Sequence, residues 1–271
     1  MTKKSNFGKM IIITALVMGT LSLGLMLLTT AREQNNSKSI EIDLSTVELV
    51  QLDDPKEGDP IAIVETTLGE VRFRLFPEYS PNAVKNFTTL AESGYYDDTY
   101  VFNAQEGAYS SLGAPNRDGS VNGSFSDDQE HVERELHQNL WPFRGAVCMM
   151  NNTYDRTFKQ RILGGGTYYN GSRFNILNSV KFDEEFSEEI RSSSFSSVLA
   201  EVFIEKGGIP NFSQQLTIIG QTYLGYDVVD KLASLEAQDN GKFYTPKEDV
   251  KIISVKIDTF KTGDTVENAE K

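Results

Sequence analysis

Short apolar runs, each ended by a glycine, a proline or a polar cluster, are the feature of this chain that most limits its possible folds. Residues 61–64 read Ile-Ala-Ile-Val, and after Gly69 the alternation of Val71, Phe73 and Leu75 has the period of two that marks a β-hairpin. Further runs of this kind lie at residues 108–112, 145–150, 174–177, 216–219 and 250–257. Many short strands of this kind predict a mainly β protein whose strands form a closed barrel.

Two segments have helical spacing instead. Ser80-Pro81 supplies a capping residue and a proline at the first helical position, and the apolar residues that follow, up to Leu90, recur every three or four positions. A second helix is expected from Asp227 to about Ser234. The sequence therefore predicts two helices that cap the ends of the barrel.

An uncharged apolar segment of 22 residues runs from Met10 to Ala31. Its length is enough to cross a bilayer of about 30 Å as a helix. Three lysines precede it, so the positive-inside rule places residues 1–9 in the cytoplasm and everything after the segment outside. A secretory signal ending near Thr29-Thr30-Ala31 is the alternative. We expect a single-pass protein of the cell membrane, with residues 10–31 as its transmembrane helix.

The rest of the chain divides by composition. Residues 32–60 are polar and predict a stalk, residues 61–260 hold the apolar runs and predict one folded domain, and residues 261–271 predict a disordered tail. The net charge of −13 argues against a nucleic-acid partner, because such binding depends on lysine and arginine. Cys148 is the only cysteine, and His131 and His137 lack zinc-site spacing, so we expect no cofactor and no metal.

Three strings, in this order, resemble the cyclophilin family of peptidyl-prolyl isomerases. Residues 67–115 read TLGEVRFRLFPEYSPNAVKNFTTLAESGYYDDTYVFNAQEGAYSSLGAP, residues 170–176 read NGSRFNI, and residues 225–232 read GYDVVDKL. The resemblance implies an eight-stranded antiparallel barrel capped by two helices. It also marks residues 152–169 and 181–208 as insertions, since the family's motifs lie closer together.

The resemblance implies a peptide groove whose residues have mostly changed. Where the family has the F-H-R string with its catalytic arginine, this chain reads Val101-Phe102-Asn103, so Asn103 stands at the arginine position. The other positions implied to bind substrate are Ala108, Tyr109, Ser111, Met149, Met150, Asn151, Asn175, Phe212 and Leu216.

Cyclophilins are understood to lower the barrier of about 20 kcal/mol for rotation about an X-Pro bond by directing an arginine at the twisted amide. Loss of one such donor costs about 10²–10³ in rate. The first hypothesis is therefore a weak isomerase acting on exported proteins, in which Arg173, at the family's glutamine position, supplies a relocated cation. Arg173 could instead be a solvated or salt-bridged surface residue.

The second hypothesis is a non-catalytic chaperone or assembly scaffold that binds peptides on a cyclophilin fold, because uniform binding does not accelerate a reaction. The expected partners under both hypotheses are exported or unfolded polypeptides, including proline-containing segments. Neither hypothesis fixes an oligomeric state.

Overall fold

The computed structural model describes residues 40–121, 132–153, 157–193 and 196–267. The strands are β1 Pro60–Thr66, β2 Gly69–Leu75, β3 Tyr100–Gln105, β4 Tyr109–Ala114, β5 Val132–Glu133, β6 Ala146–Asn152, β7 Tyr169–Leu177, β8 Ile218–Leu224, β9 Ala237–Asp239, β10 Tyr244–Pro246 and β11 Ile252–Thr259. The helices are α1 Pro81–Glu92, α2 Phe158–Leu163, α3 Glu184–Ser192, α4 Ser197–Lys206 and α5 Tyr226–Ala233, with short 3-10 turns at Val50–Leu52 and Pro210–Phe212.

The chain divides into two compact units. The main unit is Ser39–Asn152 with Tyr168–Lys271, and the second is Met1–Lys38 with Thr153–Thr167. The described part of the second unit is mainly α2, which begins with a capping box between Thr157 and Gln160. All further elements belong to the main unit.

One curled antiparallel sheet runs in the order β11-β1-β2-β8-β6-β7-β4-β3, with β5 paired to β7. The predicted closed barrel is wrong: the sheet is an open half-barrel. The end strands β3 and β11 meet only where both begin, at the bridge between Tyr100 and Lys251. Beyond that bridge β11 pairs with β1, while the β9–β10 hairpin lies beside β3. Among the described residues, no ladder of hydrogen bonds therefore joins β3 to β11.

The interior of the sheet holds the main apolar core. Phe73 of β2, Phe174 of β7 and Tyr96 surround Phe87 of α1 at ring distances of 5.8, 5.5 and 5.3 Å. The apolar stripe predicted for this helix is buried as expected. The second predicted helix is confirmed as α5, which buries Val228, Val229 and Leu232.

A carboxylate from a distant loop caps α1. Ser80 stands at the N-cap as predicted, but its hydroxyl donates to the carbonyl of Ile218 at 2.7 Å. Glu135 instead accepts the backbone N–H groups of Asn82 and Ala83 at 3.2 and 2.9 Å. An anion at the positive end of the helix dipole stabilises the helix start.

A second apolar cluster is formed by residues from three separate parts of the chain. Trp141 and Phe143 lie at its centre, with Leu199 and Phe203 from α4, inside the predicted insertion at 181–208. Ile42, Val47 and Leu49, from the stretch predicted as a stalk, pack against the same cluster. Residues 42–49 therefore lie against the domain.

The structure also describes most of the segment predicted as a tail. Residues 261–271 were predicted as a disordered tail, and the structure describes them up to Glu267. The Glu267 carboxylate accepts the N–H groups of Gly225 and Tyr226 at 2.9 and 3.3 Å, at the start of α5. Glu267 therefore ties this segment to the start of α5.

The predicted transmembrane helix at residues 10–31 lies outside the described residues. Among the residues that the structure does describe, no helix combines the length and the apolar character needed to cross a membrane.

Candidate active site

A row of cross-strand neighbours runs over five strands on the face of the sheet that carries the site. Asn103 of β3 pairs with Ser111 of β4, and Ser111 pairs with Asn175 of β7. The row continues through Cys148 of β6 to Ile218 of β8. Directly paired residues share one face of a sheet, so these five side chains are neighbours.

The polar half of this row is joined by hydrogen bonds. Asn103 Nδ2 donates to Ser111 Oγ at 3.1 Å, and Ser111 Oγ donates to Asn175 Oδ1 at 2.8 Å. Asn103 Oδ1 accepts the backbone N–H of Tyr244 at 3.0 Å. Asn103 is only 2% exposed. The residue at the family's arginine position is therefore a neutral, buried amide that is already engaged by its neighbours.

Apolar side chains extend the site beyond the row. Ala108, Tyr109, Phe212 and Leu216 are half-buried and pack on the cluster that contains Cys148 and Ile218. The rings of Tyr109 and Phe212 meet edge to face at 5.6 Å. The structure thus packs four predicted substrate-binding residues on one apolar cluster beside the polar row, and these four are here called the apolar patch.

The M-M-N string of β6 is split between core and surface. Met149 is fully buried in the main core, because alternation along β6 turns its side chain inward, and its contact with a peptide stays a prediction. Met150 and Asn151 are half-buried. Asn151 Nδ2 donates to the carbonyl of Gln215 at 2.7 Å, and Asn151 Oδ1 accepts from Asn170 at 3.2 Å.

Arg173 lies two residues before Asn175 on β7, about 7 Å along the strand. It is 2% exposed, so it is not the solvated arginine of the alternative reading. Its Nη1 donates to the carbonyl of Gly119 at 2.8 Å and its Nη2 to Asn152 Oδ1 at 3.1 Å. The guanidinium carbon lies 6.0 Å from the ring centre of Phe102, the neighbour of Asn103. A positive charge is therefore present near the row, on a different strand from the family's arginine.

Burial also sets the ionisation of the site. It raises the pKa of the Tyr109 hydroxyl, and the nearby Asn103 side chain offsets part of this rise. Burial likewise raises the pKa of the Cys148 thiol, which lies fully buried in an apolar cluster. Both groups are neutral near pH 7, so neither adds a negative charge to the site.

Several residues that hold the site were not predicted. Tyr244, which binds Asn103, lies far away in the chain, and no sequence signal connects the two. Gln214 has a positive φ of 57° where the family pattern has glycine, and this departure from the pattern could have drawn attention to it. In the described part of the chain, no group of three His, Cys, Asp or Glu side chains is placed to hold a metal ion.

The chain is similar to known proteins in sequence and in fold. Residues 61–178 match the family model for cyclophilin-type peptidyl-prolyl cis-trans isomerases. A Staphylococcus saprophyticus protein, provisionally named a peptidyl-prolyl cis-trans isomerase, is 26% identical over 208 residues, which cover 76% of this chain and 96% of that protein.

A Streptococcus pyogenes protein, provisionally named a bifunctional phosphatase/peptidyl-prolyl cis-trans isomerase, is 29% identical over 209 residues. The match covers 76% of this chain, and the chain spans 40% of that relative's length.

Among solved structures, a cyclophilin-type isomerase from Cryptosporidium parvum superposes with a TM-score of 0.53 at 19% identity, over 75% of this chain and 99% of that one. This likeness shows the fold. The chain therefore contains a cyclophilin-type peptidyl-prolyl cis-trans isomerase domain, of which the family model matches residues 61–178.

Proposed function

We propose that this protein binds proline-containing segments of exported polypeptides on the patch formed by Ala108, Tyr109, Phe212 and Leu216, and that it isomerises them slowly. The observation that carries the proposal is the state of Asn103. Its amide is buried and bonded to Ser111 and Tyr244, so no charged donor comes from the position where the family has arginine.

The apolar patch supports proline binding. A proline ring is apolar, and half-buried aromatic and aliphatic side chains at the end of a polar row give it a surface to pack against. The Cryptosporidium parvum protein, which shares the fold, was also crystallised in the presence of the dipeptide Ala-Pro. We infer that the apolar patch of this chain takes the proline.

Binding at the patch can be tested with a fluorescently labelled Ala-Pro peptide and the full-length chain in a mild detergent. Leu216→Ser places a hydroxyl in the patch and should weaken binding by about tenfold, since burial of one aliphatic side chain is worth about 1.5–3 kcal/mol. Val198→Ser is the matched control, because Val198 is 62% exposed on α4. Equal dissociation constants for the two variants would place the peptide elsewhere.

Arg173 is the candidate for residual catalysis. Arg173 lies two residues along β7 from Asn175 of the polar row. A cation near the twisted amide is the feature that the family's mechanism requires. Arg173→Gln restores the family's residue at this position and removes the charge while keeping amide donors for Gly119 and Asn152. A fall of at least about tenfold in kcat/KM is expected. An unchanged kcat/KM in a folded variant would remove Arg173 from the mechanism.

A non-catalytic role as chaperone or assembly scaffold is the second candidate. It is favoured by the combination of a retained apolar patch with a lost polarising donor, because such a site binds without selecting the transition state. Under this role, the full-length chain binds unfolded polypeptide, and prolyl isomerisation proceeds at the uncatalysed rate with or without it. Any acceleration that Arg173→Gln abolishes would exclude this role.

We further propose that the domain acts outside the cytoplasm, tethered by residues 10–31. The length and lack of charge of that segment and the lysines before it support this location. Protease treatment of intact cells should digest the domain if this is correct, and protection of the domain would contradict it.

A further inference from the structure

Residues 43–51, here called the strap, are clasped by a neighbouring loop. The N–H of Asp43 donates to Gln138 Oε1 at 3.2 Å, and Gln138 Nε2 donates to Thr46 Oγ1 at 2.9 Å. The N–H of Glu48 donates to Asn139 Oδ1 at 3.0 Å. Both side chains of one short loop thus bind the strap.

Gln51 completes this attachment from a buried position. It is 5% exposed; its Oε1 accepts the N–H of Trp141 at 2.5 Å and its Nε2 donates to the carbonyl of Trp141 at 2.9 Å. The same Nε2 donates to Gln221 Oε1 on β8 at 2.9 Å. A side chain that pairs with both backbone groups of one residue fixes the strap and the loop in one register, and its loss would leave buried polar groups unpaired.

The loop that holds the strap also holds the site. Residues 134–141, here called the clasp, contact residues 212–217, the site loop that carries Phe212 and Leu216. Arg134 Nη1 donates to the carbonyl of Gln215 at 3.1 Å, and the N–H of Glu135 donates to Thr217 Oγ1 at 2.9 Å. The clasp therefore has the strap on one side and the site loop on the other.

Two further contacts join the three segments. Gln214 Nε2 donates to the carbonyl of His137 at 3.3 Å, from a site-loop residue held at a positive φ. Val50 of the strap and Leu140 of the clasp lie in the apolar cluster on which the patch residues of the site loop pack. The connection from strap to site is thus both polar and apolar, and its members are in direct contact.

From this geometry we infer that the strap is a positioning element for the peptide site: docking of Gln51 on Trp141 holds the clasp, and the clasp holds the site loop in its binding conformation. The inference rests on the proposed peptide binding. Gln51 is a positioning residue here, since it acts through Trp141 and the clasp.

The test compares Gln51→Ala with Leu52→Ala in the full-length chain. Leu52 is on the same short turn but is 41% exposed, so its truncation leaves the clasp intact. Hydrogen exchange of the backbone and the dissociation constant of the labelled Ala-Pro peptide are measured for both variants. Gln51→Ala should speed exchange in the strap, in the clasp and in residues 212–217, without changing exchange in β1 and β2. It should also weaken peptide binding by about three- to tenfold, the size of effect that coupling through a contact network produces.

Faster exchange confined to the strap, with peptide affinity equal to that of Leu52→Ala, would overturn the inference. Faster exchange throughout β1 and β2 would show general destabilisation, which also contradicts a positioning role. If Gln51→Ala does not fold, Gln138→Ala replaces it, because this variant removes only two exposed hydrogen bonds and should give the same pattern at smaller size. Absence of peptide binding by the unaltered chain would refute the proposed function, while the exchange pattern would still decide the inference.

Discussion

Replacing Asn103 by alanine separates a structural role from a catalytic one at the position of the family's arginine. The change removes two hydrogen bonds, one to Ser111 at 3.1 Å and one from the Tyr244 N–H at 3.0 Å. Ser111 keeps its bond to Asn175, and Tyr244 is 47% exposed, so water can replace what its N–H loses. At about 0.5–1.5 kcal/mol for each bond, the free energy of unfolding should fall by about 1–3 kcal/mol.

The same variant should keep kcat/KM for a proline peptide within about twofold, whereas loss of a transition-state donor costs about 10²–10³. Urea denaturation gives the first quantity and a protease-coupled isomerisation assay gives the second. Asn86→Ala is the matched control. Asn86, on α1, is also buried, and its side chain donates to the carbonyl of Gly171 at 3.0 Å. A hundredfold loss of kcat/KM in Asn103→Ala alone would refute the structural assignment.

Three further changes test the fold around the site. Glu135→Gln weakens the cap of α1 and should lower the free energy of unfolding by about 0.5–1 kcal/mol in urea titrations, and no loss would mean that the carboxylate charge is unimportant. Burial lowers the pKa of His137, so the unfolded chain binds a proton at this residue more readily than the folded chain. The free energy of unfolding should therefore fall as the pH drops below about 6.5. In His137→Asn, the free energy of unfolding should depend less on pH between about pH 5 and 7. Gly225→Ala would place a Cβ against the carbonyl oxygen of Glu70 at a φ of +91°, and should cost at least about 2 kcal/mol; an unchanged melting temperature would contradict this packing.

Local patterns predicted part of the sheet and two of the five described helices, but not how the sheet ends. Period-two alternation located the β1–β2 hairpin, and capping with helical spacing located α1 and α5. Closure depends on pairing between β3 and β11, which lie far apart in the chain, and alternation reports which residues share a face rather than which strands pair. The bridge between Tyr100 and Lys251 is the only strand pairing found between them in the described residues.

For the site, the family resemblance predicted which residues take part, and the structure showed how the strands that carry them pair. Asn103, Ser111 and Asn175 were predicted separately, and their alignment across β3, β4 and β7 became visible only with the strand pairing. The resemblance carried Met149 into the groove as part of a motif, although its side chain points into the core.

The strap illustrates what composition leaves out. Its residues are mostly polar, which is typical of a solvated stalk, yet Gln51 is buried because a distant backbone at Trp141 offers it a matched donor and acceptor. Long-range partners of this kind have no local sequence signature.

We propose that this cyclophilin-type domain works without a polarising arginine at the family's position. Measuring kcat/KM of the full-length chain for a proline peptide, beside an arginine-bearing cyclophilin under identical conditions, tests this proposal. We expect a value about 10²–10³ lower for this protein. Equal values would contradict it.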